Sequence, residues 1–125
     1  MSSWPVDQLE RIATGDDLHI APFRTDGTTY GTPTWIWSVA VGGELYVRAY
    51  NGTASRWHQA ATTQRGGRIR AAGDDVDVSF EPVPAEAEVQ PAIDAAYRVK
   101  YADSAYLAPM IGGRARQATV RIRPA

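Results

Sequence analysis

Arg48, Ser55 and Arg56 have the types and spacing best suited to chemistry, and that chemistry is anion binding. They bracket the polar, small-residue loop Asn51-Gly52-Thr53-Ala54, which runs into Trp57-His58 and the start of an expected helix. The first N–H groups of a helix lack backbone partners and lie at the positive end of its dipole, so such a junction can receive an anion. A guanidinium adds a planar fork that matches phosphate or carboxylate. Arg56 as a cation at a helix start is mildly unfavourable unless an anion joins it, which argues for a ligand. The same residues also describe a solvated strand end and an ordinary cap: Asn51-Gly52 makes a turn unaided, and Thr53 or Ser55 caps any helix.

Flat surfaces for a ring come from Trp35 and Trp37, two apart and so on one face of a strand, where they suit stacking on a cofactor or packing in a core or dimer interface. His58 can be a proton donor or simply a helix residue, and Ser55 with His58 lacks the strand-turn-helix elbow of a hydrolase nucleophile. His19 and His58 lie too far apart in the chain to suggest a metal. Asp74, Asp75 and Asp77 lack the later glycine and glutamate of a calcium loop and read as a hairpin turn. Tyr97, Arg98, Lys100 and Tyr101 cluster on one helix, where tyrosines four apart make a buried stripe or reach toward a ligand.

The elements that position these groups centre on Thr32 to Phe80. Thr32–Val41 is rich in β-branched and aromatic residues, Gly42-Gly43 tolerates a tight turn, and Glu44–Tyr50 alternates at period two, which predicts a hairpin. A helix is expected from about Ser55 to Gln64, stopped by Gly66-Gly67. Before the hairpin, Pro5–Ala13 reads as a helix with Val6, Leu9 and Ile12 or Ala13 on one face. Asp17–Thr25 reads as an edge strand because of Pro22, and Asp26–Gly31 as a turn-rich connection. After the second helix, Arg68–Ala72 and Val76–Pro82 form a hairpin across Gly73-Asp74-Asp75, with Val76, Val78 and Phe80 inward. Pro84–Tyr101 is helical, with Pro91 opening a helix that buries Ile93, Tyr97 and Tyr101. Tyr106–Gly113 reads as a loop. Arg116–Arg123 is a closing strand whose arginines solubilise an edge. Six strands or so and three helices, mostly joined by tight turns, predict a mainly β fold: an antiparallel barrel with peripheral helices, as one domain over residues 1–125.

Composition limits the partners. With 125 residues, 44% hydrophobic and 22% charged, the chain suits one globular domain and not a disordered segment. A net charge of −1 gives no general attraction to nucleic acid or anionic membrane. Lys100 is the sole lysine, a bias that suits phosphate grip and follows equally from a GC-rich genome. There is no cysteine, so disulfides, thiolate catalysis and cysteine-bound metals are excluded. No signal peptide and no apolar run long enough to span a bilayer is read, which makes the cytoplasm the expected location.

Thr25-Asp26-Gly27, Gly31-Thr32-Pro33-Thr34-Trp35, the hairpin into Leu45-Tyr46-Val47-Arg48 and the loop with Ser55-Arg56 together resemble the split β-barrel flavin-binding superfamily. That group includes pyridoxamine phosphate oxidase-like and deazaflavin-dependent nitroreductase-like proteins. The order of elements matches from about residue 5 to residue 82. Asp94 to Tyr101 looks like a smaller bacterial group of uncharacterised function within it. The resemblance implies a homodimeric split barrel binding FMN or a deazaflavin, with Arg48, Ser55 and Arg56 on the phosphate and Pro33, Thr34 and Trp35 against the ring. Where the superfamily often has lysine, this chain has Arg56, whose fork demands a different approach to phosphate. An oxidoreductase acting on a small organic substrate is the implied function; the alternatives are a non-catalytic module for a small ligand and a pure dimerisation domain.

Overall fold

The structure, a computed structural model, describes residues 3–125. Its elements in chain order are α1 (Val6–Thr14), β1 (His19–Pro22), β2 (Thr34–Trp35), β3 (Ser38–Val41), β4 (Glu44–Arg48), a single tight turn of helix (Gly52–Ala54) and α2 (Arg56–Gln64). Then follow β5 (Gly66–Ala71), β6 (Asp74–Val83), α3 (Gln90–Lys100), α4 (Leu107–Met110), α5 (Gly113–Gln117) and β7 (Thr119–Pro124). The seven strands form one antiparallel sheet in the order β2-β1-β5-β6-β7-β4-β3. Its outermost strands, β2 and β3, are joined by only Ile36 and Trp37, so the sheet must curl until its ends come together, giving a half-barrel.

The predicted strand Thr32–Val41 is therefore two strands with different partners. Thr34 and Trp35 pair with β1, whereas Ser38–Val41 pair with β4. Ile36 still donates its N–H to the Leu18 carbonyl at 3.1 Å and buries its side chain in the core, after which the chain crosses to the other edge. Counted separately, these halves make seven strands where about six were expected. Trp35 and Trp37 consequently do not share a face: Trp35 is exposed, while Trp37 stacks on Tyr101 with centroids 3.9 Å apart.

β4 carries the site and is covered on both faces. Leu45 and Val47 enter the barrel core with Ile20, Ile69, Phe80 and Ile122, roofed by Leu9 and Ile12 of α1 and by Trp4, whose indole donates to the Ile122 carbonyl at 2.8 Å. Tyr46 and Arg48 point the other way, beneath α3, where Ile93, Tyr97 and Tyr101 supply a second core. The Gly42-Gly43 turn of this hairpin has φ of 59° and 80°, a geometry that matches the twist of the flanking strands.

Several local expectations give way to packing. Val6 is 80% exposed, so α1 buries only Leu9 and Ile12. β1 lies inside the sheet, not at its edge; β2 is so short that none of its residues stands opposite Pro22, whose missing N–H therefore breaks no ladder bond, while its carbonyl accepts the Gly31 N–H at 2.8 Å. Helix α2 ends at Arg65, itself left-handed at φ 62°, and Gly66-Gly67 open β5. Gly67 is required there because a Cβ would meet the Ala21 carbonyl oxygen at 2.5 Å. The β5–β6 turn is Ala72-Gly73, which frees Asp74 and Asp75 to join β6. α4 and the start of α5 occupy the expected loop, and β7 lies between β6 and β4. Its arginines are matched by carboxylates, Arg121 with Glu81 and Arg123 with Glu44, instead of decorating an edge.

Candidate functional site

Where the curled sheet's ends meet, a cavity of about 640 Å³ opens between the β2–β3 crossing, the end of β4, the start of α2 and the segment from Tyr101 to Met110. Six aromatic side chains line it: Trp35, Trp37, Tyr50, Trp57, Tyr101 and Tyr106. Volumes of about 300–1,000 Å³ with apolar walls and few polar groups are usual for small-molecule sites. Trp35 is 51% exposed yet fixed, because its indole Nε1 donates to the Asp16 carbonyl at 2.7 Å. Tyr50 and Tyr106, which line the same cavity, meet edge to face and are exposed.

The rear wall is the Trp37–Tyr101 stack. The Tyr101 hydroxyl donates to Asp16 Oδ1 at 2.8 Å and accepts from the Ser38 N–H at 3.1 Å. Burial pushes the Tyr101 pKa well up, with the adjacent Asp16 charge acting in the same direction, so the phenol stays protonated and remains a donor. Lys100 donates to the Ser38 carbonyl at 2.7 Å; burial pushes its pKa down, opposed by Asp16 and Asp17.

Arg48 touches the cavity but is only 1% exposed, and protein groups satisfy its fork. Nε donates to Thr119 Oγ1 at 3.1 Å, Nη2 to Gln90 Oε1 at 2.6 Å and Nη1 to the Met110 carbonyl at 3.0 Å, with Asp94 Oδ1 2.6 Å from Nη1. Asp94 also pairs with Arg116. This network fastens α3, α4, α5 and β7 to the end of β4 and leaves the guanidinium little to offer a ligand.

Four of the six sequence candidates, Thr34, Trp35, Arg48 and Ser55, thus line one cavity. Arg56 faces a second groove of about 670 Å³, which adjoins the first through the shared residues Thr34 and Trp57 and also contains Arg24. Pro33 is exposed and lines neither. His58 is buried on α2 with no hydrogen-bond partner for Nδ1, and burial pushes its pKa down; it lines neither cavity. Sequence reasoning missed Asp16, Tyr50 and Tyr106. Their neighbourhood depends on long-range folding, and the turn after Gly15 carries no local signal for a ligand site.

Among the described residues no cluster of histidine and carboxylate side chains could hold a metal, and no helix is long and apolar enough to cross a membrane. Fold and cavity define a small antiparallel β protein with an aromatic-walled pocket. Residues 8–122 match the family described as uncharacterized protein conserved in bacteria (DUF2255), and the chain belongs to that family. No curated protein and no solved structure matches it.

Proposed function

We propose that the aromatic-walled cavity binds a planar ring cofactor of the flavin or deazaflavin type, and that the protein is a cytoplasmic homodimer using it as an oxidoreductase on a small organic substrate. The observation that carries this reading is Trp35: a half-exposed indole, pinned through Asp16, at the mouth of a cavity otherwise walled by aromatic faces. Aromatic walls of this kind suit offset stacking on the ring end of such a cofactor. The phosphate end fits less directly, because Arg48 is already bonded by protein; Ser55, the α2 N-terminus and Arg56 across the shared Trp57 remain to receive it. When bound, the cofactor supplies the hydride chemistry, and the chain binds, orients and desolvates it. The exposed rim of Trp35, Tyr50 and Tyr106 supports a second copy covering the mouth.

The sequestration of Arg48 favours a second reading, a non-catalytic module for an uncharged ring ligand. Absorption spectra of the purified protein, then titration with FMN, riboflavin and a deazaflavin, test both. Tight FMN or deazaflavin binding with turnover of a reductant supports the first reading. Riboflavin binding as tightly as FMN, without turnover, supports the second. Failure of all three rings to bind contradicts both.

A further inference from the structure

We propose that Asp16 determines the specificity of the cavity, selecting planar aromatic ligands that present a positively charged or N–H-donating edge. This deepens the ring-site reading and rests on it. Among the described residues lining the cavity, Asp16 is the only acid and Arg48 the only base, and the Arg48 charge is spent on Asp94. The Asp16 carboxylate is consequently the one formal charge on the cavity wall without an opposite charge within ion-pair distance. Lys100 feels the Asp16 charge, but its ammonium donates to the Ser38 carbonyl and is not within ion-pair distance of that carboxylate.

The carboxylate is held in place. Tyr101 donates to Oδ1 at 2.8 Å, and the backbone carbonyl of the same residue receives the Trp35 indole at 2.7 Å. One residue therefore fixes both the outer aromatic wall and, through Tyr101, the rear Trp37–Tyr101 stack. Aromatic faces attract cations through their quadrupoles, and a fixed carboxylate beside them accepts a charge-assisted hydrogen bond. Asp16 is exposed at the rim of the cavity, so a ring with a bare acceptor edge gains only the stacking, whereas a cationic or N–H-donating edge adds the charge-assisted hydrogen bond.

The test uses two dyes with the same three-ring skeleton, proflavine, cationic at neutral pH, and acridine, which is neutral there. Both are titrated against wild type and Asp16→Asn and followed by fluorescence. Asparagine keeps an oxygen for Tyr101 and the backbone bond to Trp35, and circular dichroism checks the fold of the variant. Wild type should bind proflavine about tenfold more tightly than acridine, and the variant should lose that preference while holding acridine unchanged. Equal affinities in wild type, or a proflavine preference that survives in the variant, would overturn the proposal while leaving a ring site in place. Failure of both dyes to bind overturns it too, and the FMN and riboflavin titrations then decide separately whether the cavity takes any ring.

Discussion

Arg48 of β4 and Asp94 of α3 meet inside the protein, Nη1 to Oδ1 at 2.6 Å, with both side chains almost wholly shielded from water. An arginine read from the sequence as a ligand contact is thereby the junction between the sheet and its C-terminal helices. Arg48→Ala leaves Asp94 with Arg116 alone and strips the buried Gln90 and Thr119 side-chain oxygens and the Met110 carbonyl of their donor, so it should destabilise the fold by about 3–5 kcal/mol. Urea unfolding checks this, with exposed Arg56→Ala as the comparison that should change stability by less than about 0.5 kcal/mol.

Arg56 is instead tested through binding. If the phosphate of a cofactor reaches across Trp57, Arg56→Ala should weaken FMN by about 1–3 kcal/mol, the scale of a lost charged hydrogen bond, and leave riboflavin unaffected. Isothermal titration of both ligands reads the difference. Equal effects on the two would remove Arg56 from the phosphate.

Tyr101 joins the β2–β3 crossing to α3. Tyr101→Phe keeps the stack on Trp37 but leaves the buried Ser38 N–H without its acceptor and Asp16 without its donor. A stability loss of about 1–3 kcal/mol is expected in urea unfolding.

Gly67 permits the close approach of β5 to β1. A Cβ there would lie 2.5 Å from the Ala21 carbonyl oxygen and 2.6 Å from the Pro22 Cα, both backbone atoms. Gly67→Ala should cost at least about 1–3 kcal/mol, because only a shift of the strands relieves the overlap. Its thermal midpoint against that of Gly42→Ala, where nothing lies within 4 Å, separates crowding from the strain of φ 59°.

Stability should also depend on pH through His58. Burial lowers its pKa in the fold below the ordinary 6.5, so below that value the unfolded chain binds the extra proton first. The contribution is fully present above 6.5 and is lost as the pH falls from there through the folded-state value. Urea midpoints measured from about pH 7.5 to pH 5 should decline in wild type and flatten in His58→Gln.

Local signals in the sequence located most elements. The Gly42-Gly43 hairpin, α2, the inward Val78 and Phe80, Pro91 at the opening of α3 and the stripe of Ile93, Tyr97 and Tyr101 all follow from periodicity and turn chemistry. What depended on distant partners was not legible. Thr32–Val41 reads as one strand because its composition is uniform; only the presence of β1 on one side and β4 on the other breaks it. Arg48 reads as a strand-end cation because Asp94 and Gln90 come from a helix far along the chain. The aromatic residues were visible as residues, but Asp16, which ties two of them together, lies in a turn with no periodic pattern.

A ring bound against Trp35 can be tested directly with riboflavin. Riboflavin, which carries the ring without the phosphate, should quench tryptophan fluorescence saturably in wild type, with its dissociation constant raised about tenfold in Trp35→Ala, the upper range of aromatic stacking. No saturable binding, or an identical constant in the two proteins, would contradict it.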